Sequence, residues 1–269
     1  MAVLKDPTFW ATVIALLALI LSQLPPIAQL LKRRQLLIIV SEQLALYHYL
    51  GNIQFLAFLG LHNTGGRDVT IGRIDCVIAD EDGHRWPVPA QTYLSRQPSA
   101  VAGQAAPELF MDWISLKPGG HWGETVHFFK VWSVQDEQNA ASLTSRMRAD
   151  INAKLALRKP DEAKKPAEAD DALVKEATEL FEKKFNLTKG NYRLVIAALS
   201  EKKEPLTVRG FDFTLFDHQI QALRSATEDY KVGAGVYYPN LDPSRQAVIR
   251  LRPLQDVEAR KQYAARTAA

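Results

Sequence analysis

The sequence predicts a mainly β fold, an antiparallel β-sandwich that carries an inserted helical hairpin and follows one N-terminal transmembrane helix. Three observations support this prediction. A charge-free apolar stretch occupies residues 9–24, short β-patterned segments fill most of residues 35–255, and residues 136–186 interrupt them with helical periodicity. The regular alternation of strands and helices that is typical of a parallel sheet does not occur.

The first element is the apolar stretch. Extended to residue 31 it contains 23 residues, and a helix of that length measures about 35 Å, enough to cross a hydrocarbon core of roughly 30 Å. A cleaved signal peptide fits less well, because the N-terminal charge is weak and no small-residue cleavage site follows. We expect the membrane anchor to comprise residues 1–34, with bilayer contacts from Phe9, Trp10, Leu16, Leu17 and Leu24.

The charges that flank this stretch predict its orientation. Lys32, Arg33 and Arg34 follow it directly, whereas only Lys5 precedes it. Cytoplasmic flanks carry the excess of Lys and Arg, so the N-terminus should face outwards and the large domain should face the cytoplasm, as in a bacterial inner-membrane protein. The same three cations could contact anionic lipid headgroups.

The pattern of residues 35–255 predicts the β domain. Turn residues separate roughly eight short segments with strand patterning, and a further segment at 247–251 would close the sheet. These segments lie at 36–40, 52–61, 69–79, 84–88, 109–116, 122–132, 191–199 and 206–215. Their number and spacing favour an immunoglobulin-like sandwich on architecture alone, and architecture does not predict function.

The inserted segment, residues 136–186, contains two amphipathic helical patterns separated by a polar linker. The apolar positions are Leu143, Met147, Ile151 and Leu155 in the first pattern and Leu173, Leu180 and Phe181 in the second. Both patterns could pack over one end of the sandwich. Alternatively, the two stripes could dock a partner protein or a second copy of the chain. Residues 256–269 form a charged C-terminal tail.

No motif in the sequence predicts catalysis, a metal site or a cofactor. The six histidines lack zinc-ligand spacing, and no glycine-rich phosphate loop precedes a helix. The turn at Asp80–Gly83 resembles a cation-binding loop only superficially. Cys76, the only cysteine, lies in an alternating segment and is expected to be a small core residue. A formal net charge of +3 is too small for a dedicated nucleic-acid binder.

These observations favour a non-enzymatic, membrane-tethered adaptor whose β domain binds a cytoplasmic or membrane protein. One alternative is an oligomerising, membrane-perturbing effector of the kind used in bacterial stress or phage defence. This alternative is motivated by three polar residues beside Pro25 and Pro26, namely Ser22, Gln23 and Gln29, which could hydrogen-bond between copies of the chain. A second alternative is an enzyme whose site is assembled from distant residues.

Overall fold

The structure, a computed structural model, describes residues 7–95, 107–158, 166–238, 240, 242–255, 258–259 and 263, with only the backbone of residues 23–31. It confirms a mainly β protein with antiparallel sheets and four α-helices among the described residues. The helices are α1 (Pro7–Leu31), α2 (Val134–Ala156), α3 (Asp171–Lys184) and α4 (Asp217–Ser225). Short 3-10 helices follow at Ala226–Val232 and Pro243–Arg245.

The described part of the chain contains fourteen strands. They are β1 (Leu36–Val40), β2 (Gln43–Tyr49), β3 (Asn52–Asn63), β4 (Val69–Ile71), β5 (Arg73–Asp80), β6 (Arg85–Pro87) and β7 (Ala90–Leu94). The remaining strands are β8 (Glu108–Phe110), β9 (Ile114–Leu116), β10 (His121–Phe129), β11 (Gly190–Leu199), β12 (Pro205–Leu215), β13 (Ala247–Arg250) and β14 (Arg252–Pro253).

The larger sheet has seven strands in the order β13-β2-β3-β10-β7-β8, with β1 also paired to β3. The predicted strand at 52–61 is β3, which is a central strand because it is paired on both edges. β1 and β2 share one of these edges, since Leu36 pairs with Asn63 and Tyr49 pairs with Asn52. They are therefore two halves of one strand that is interrupted at residues 41–42.

The second sheet has five strands in the order β14-β12-β11-β5-β6. Residues 247–253 pass from one sheet to the other, because β13 pairs with β2 and β14 pairs with β12. Between them, the buried Leu251 donates its backbone N–H to the carbonyl of Glu42 at 2.8 Å. The interruption of the β1–β2 strand thus lies where another strand passes from one sheet to the other, a device that turns corners between packed sheets.

Apolar side chains from both sheets and from helices α2, α3 and α4 form one continuous core. Phe55 and Phe128 stack within it at a ring distance of 4.5 Å. Cys76 is buried in this core, as its alternating segment predicted. The finer prediction of an immunoglobulin-like arrangement is not confirmed by the strand order.

Two predicted strands are in fact broken. The segment 69–79 divides at Gly72 into β4 and β5, which pair with β9 and β11 respectively and so belong to different sheets. The segment 109–116 divides in the same way into β8 and β9. Alternation continues through such a break, so the sequence pattern alone does not reveal it. Strands β2 and β7 and helix α4 were not predicted.

The inserted segment between β10 and β11 forms the predicted helical hairpin. Ser133 caps the N-terminus of helix α2, because its hydroxyl accepts a hydrogen bond from the backbone N–H of Asp136 at 3.2 Å. Three ion pairs join the helices: Asp136–Lys184 at 2.6 Å, Arg146–Glu176 at 2.5 Å and Lys154–Asp170 at 2.5 Å. Partners that lie later in α2 lie earlier in α3, so the two helices run antiparallel.

Candidate functional site

Helix α1 is the most exposed apolar element of the described chain. From Pro7 to Ser22 every side chain is exposed except the half-buried Val13. The predicted anchor residues Phe9, Trp10, Leu16 and Leu17 are 38–56% exposed, while the side chain of Leu24 lies outside the described residues. Among the residues that the structure describes, no helix has both the length and the apolar character needed to span a bilayer.

The polar residues of α1 were the basis of the oligomerising alternative. The hydroxyl of Ser22 donates to the carbonyl of Leu19 at 2.7 Å, so it is hydrogen-bonded within its own helix. The side chains of Gln23 and Gln29 lie outside the described residues. The helix itself continues past Pro25 and Pro26 to Leu31. The hydroxyl proton of Ser22 is therefore used within α1.

The chain enters the β domain beside a buried asparagine, Asn63, at the end of β3. Its amide donates to the carbonyls of Arg67 and Leu116 at 2.8 and 2.9 Å, and its Oδ1 accepts from the N–H of Gly65 at 3.0 Å. Its backbone N–H donates to the carbonyl of Gly120, and its carbonyl accepts from the N–H of Gly119, both at 2.9 Å. One side chain therefore fixes two loops, 64–67 and 116–120, against each other.

The segment that follows α1 is held against the same loops. The carbonyl of Gln35 accepts hydrogen bonds from the N–H groups of Thr64 and Gly65 at 3.0 and 3.2 Å. A Cβ atom on Gly65 would lie 2.5 Å from the carbonyl oxygen of Arg33, so only glycine allows this approach. The residues after α1 therefore have a defined position on the domain.

This packing gathers cations that are distant in sequence. Arg67 and Lys117 lie on the loops that Asn63 holds, next to the predicted flank of Lys32, Arg33 and Arg34. All five side chains are exposed, and Asp68 is the one carboxylate in the connections 64–68 and 117–120. We call these five residues the cationic collar. Sequence reasoning found three of its members, because the other two come from later loops.

The predicted docking stripes of the insertion lie mostly inside the protein. Leu143, Met147, Ile151 and Phe181 are at most 2% exposed, and Leu173 and Leu180 pack partly buried against the same core. Only Leu155, at 46%, is exposed. Buried side chains are not accessible to a partner, so the structure favours the alternative in which the helices cover the sheets.

A polar network crosses the face of the seven-stranded sheet that is turned away from the core. The side chains of Tyr47, Gln54, His127, Thr92 and Glu108 come from five neighbouring strands, β2, β3, β10, β7 and β8. His127 is central: its Nε2 lies 2.6 Å from the Tyr47 hydroxyl and its Nδ1 lies 2.9 Å from Glu108 Oε1. The Thr92 hydroxyl donates to the same Glu108 oxygen.

The electrostatics of the network keep Tyr47 and Glu108 in their ordinary charge states. Burial, followed by the nearby Glu108 carboxylate, raises the pKa of Tyr47, so its phenol stays neutral. Burial of Glu108 is outweighed by hydrogen bonds from Thr92 and His127, which lower its pKa, so it stays a carboxylate. Both nitrogens of His127 are engaged within the network. Such an arrangement fixes strand register and presents no activated nucleophile.

The chain matches no known family model, no curated protein and no solved structure. Its function therefore has to be inferred from its own residues.

The turn after β5 gathers three residues that could hold a metal ion. Ligand atoms of Asp80, Asp82 and His84 lie within 4.8 Å of one another, and no other such group occurs in the described part of the chain. Asp80 already accepts hydrogen bonds from the backbone N–H and ring Nδ1 of His84, at 2.8 and 2.7 Å. The ring of His84 is 70% exposed. These contacts are those of a hydrogen-bonded turn.

Sequence reasoning missed the polar network entirely. A partial signal existed, since Tyr47, Gln54 and His127 alternate with apolar neighbours and so face away from the core. Their meeting depends on strand register, because His127 lies opposite Thr92, and Tyr47 opposite Gln54. Local patterning does not specify that register.

Proposed function

We propose that the protein is a membrane-tethered adaptor in which α1 inserts into a bilayer and the β domain binds a protein partner on the cytoplasmic side. The observation that carries the proposal is the exposure of the apolar side chains of α1 from Phe9 to Leu21. Exposed apolar surface of this extent is unfavourable in water and marks contact with a membrane or a protein. The apolar sequence continues to Leu31.

The cationic collar favours a membrane, rather than a protein, as the environment of α1. Its five cations lie where the helix joins the domain. Anionic headgroups attract such residues by about 1 kcal/mol for each Lys or Arg near the surface. Lys32, Arg33 and Arg34 also carry the charge bias that predicts a cytoplasmic domain, because that bias is counted close to the end of the span.

Membrane fractionation tests the tether. The full chain should sediment with membranes and resist an alkaline carbonate wash. Leu16→Arg with Leu17→Arg should release it, because each arginine at the centre of a spanning helix costs roughly 2.5–3.5 kcal/mol. The matched control is Leu155→Arg with Leu157→Arg, which changes two exposed leucines of the insertion. Soluble wild-type protein, or a double α1 variant that stays in the membrane, would reject the tether.

The mass of the complex extracted in detergent from the native host tests the adaptor role. A second, different subunit in stoichiometric amount would support the proposal. A closed homo-oligomer with no other subunit would contradict it and favour the membrane-perturbing effector. A dye-leakage assay on cells that overexpress the chain would then test that alternative directly.

A further inference from the structure

A groove lies at the end of the domain opposite to α1. It is lined by the edge strand β6, the end of β10, the start of α2 and the end of α3, and its volume is about 580 Å³. Asn52 of β3 lines it, whereas Asn63, at the other end of the same strand, holds the collar. At about 3.3 Å per residue, the groove is roughly 35 Å from the collar.

The groove is strongly cationic. Arg85, Lys130, Lys183 and Lys184 line it, and Asp136 is the one carboxylate among its described lining residues. The chain as a whole carries only +3. Four cations against one carboxylate therefore concentrate positive charge at this place. We call this cavity the basic groove.

The single carboxylate does not neutralise the groove. Asp136 is bound to Lys184 at 2.6 Å and to the Ser133 hydroxyl at 2.8 Å. The hydrogen bond from Lys184, followed by that from Ser133, lowers the pKa of Asp136, so it remains charged and paired. The side chains of Arg85, Lys130 and Lys183 make no hydrogen bond or ion pair with described residues. Arg85 and Lys130 thus have no charged partner among the described residues, and Lys183 interacts with the Asp136 carboxylate only through space.

The walls of the basic groove are aromatic and held in place. The indole N–H of Trp86 donates to Asn186 Oδ1 at 2.6 Å, and Trp132 packs against Tyr49 at a ring distance of 5.7 Å. Val131, between Lys130 and Trp132, is 58% exposed. Fixed indole rings beside unpaired cations provide apolar contact and charge attraction together, the combination found at protein-binding hot spots.

We propose that the basic groove binds an acidic segment of a protein partner, with carboxylates paired to Arg85, Lys130 and Lys183 and an apolar side chain against Trp86 and Trp132. The inference rests on the proposed adaptor function and gives the chemistry of its partner. A lipid headgroup is a poor occupant, because charges screened over about 8 Å do not act across roughly 35 Å. A nucleic acid is favoured by a continuous basic stripe, which a compact groove does not offer.

The test measures binding by fluorescence anisotropy on the full chain in a nonionic detergent, so that it does not depend on membrane insertion. The probe is a fluorescein-labelled peptide with six glutamates around one leucine, and the control peptide has glutamine at those six positions. We expect saturable binding of the acidic peptide only. Arg85→Ala with Lys130→Ala should weaken it roughly tenfold, because both removed charges face the bound segment.

The matched control is Lys202→Ala with Arg250→Ala, which removes one exposed Lys and one exposed Arg that do not line the groove. It should bind the acidic peptide as the wild type does. The inference is overturned by equal loss in the two double variants, by unchanged binding in the groove variant, or by no binding to the wild type. Tighter binding of a ten-nucleotide oligothymidine than of the peptide would also overturn it. None of these results alters the membrane-fractionation result, so failure of the groove and failure of the tether are distinguishable.

Discussion

The Nε2 atom of His48, on β2, lies 2.8 Å from the carbonyl oxygen of Leu223, on α4. A carbonyl only accepts, so Nε2 carries the proton. On the other side the N–H of Gly51 donates to Nδ1 at 3.3 Å, which leaves Nδ1 unprotonated. Phe181 packs against the ring at 4.8 Å. This neutral histidine therefore joins the larger sheet to two helices.

The first prediction is a loss of stability at acidic pH. Burial lowers the pKa of His48 to about 4, although its hydrogen bond to Leu223 opposes the shift. Between the unfolded pKa of about 6.5 and the folded value, the unfolded chain binds more protons, so stability falls as pH falls. From pH 7.5 to 5 this group should remove about 2 kcal/mol.

Urea unfolding at both pH values measures this loss. The variant His48→Gln should lose less stability than the wild type between pH 7.5 and 5. The control His218→Gln changes an exposed histidine and should follow the wild type. Equal pH dependence in all three proteins would show that His48 does not cause it.

The second prediction concerns Tyr230, which is fully buried and whose hydroxyl has no hydrogen-bond partner among the described residues. An unsatisfied buried hydroxyl is unfavourable, so Tyr230→Phe should raise the free energy of unfolding by about 1 kcal/mol. The matched change Tyr47→Phe removes a hydroxyl that is bonded to His127 and should lower it by about 1 kcal/mol. A destabilised Tyr230→Phe variant would mean that this hydroxyl has a partner in solution.

The third prediction separates packing from docking in the insertion. Ile151 is 2% exposed and Leu155, one turn later, is 46% exposed. Ile151→Ala should lower the free energy of unfolding by about 2–4 kcal/mol, because it leaves a cavity in the core. Leu155→Ala should change it by about 0.5 kcal/mol or less. Similar small effects at both positions would indicate that the hairpin is not packed on the sheets.

The fourth prediction tests the contact between the β2–β3 turn and helix α3. Gly51 has φ +84°, and a Cβ atom there would lie 2.6 Å from the carbonyl oxygen of Phe181. Gly83 has a similar φ of +88° but nothing within 4 Å of the Cβ position. Gly83→Ala should cost about 1 kcal/mol from backbone strain alone, and Gly51→Ala clearly more, because the helix must move. Thermal unfolding of the two variants measures the difference, and equal losses would rule out the close contact.

Local patterns were sufficient for much of the fold. The apolar run at 52–61 predicted a strand, alternation around Cys76 predicted the burial of that residue, and helical spacing of apolar residues predicted both helices of the insertion. Each of these features depends on neighbours within about two turns of helix or a few strand residues, which the sequence displays directly. Local patterns predicted fewer of the residues in the candidate sites. Only three of the five collar cations, and none of the groove residues, were identified.

The sequence by itself determined that the chain is mainly β, that apolar residues dominate its N-terminal helix, and that a helical hairpin interrupts the strands. Only the tertiary structure decided which stripe residues are buried and that Gly72 separates two sheets. It also decided that Tyr47 meets His127 and that Arg85, Lys130 and Lys183 share one groove. The reason is that strand register and helix docking are set by contacts between residues distant in sequence, whereas alternation and helical spacing are local.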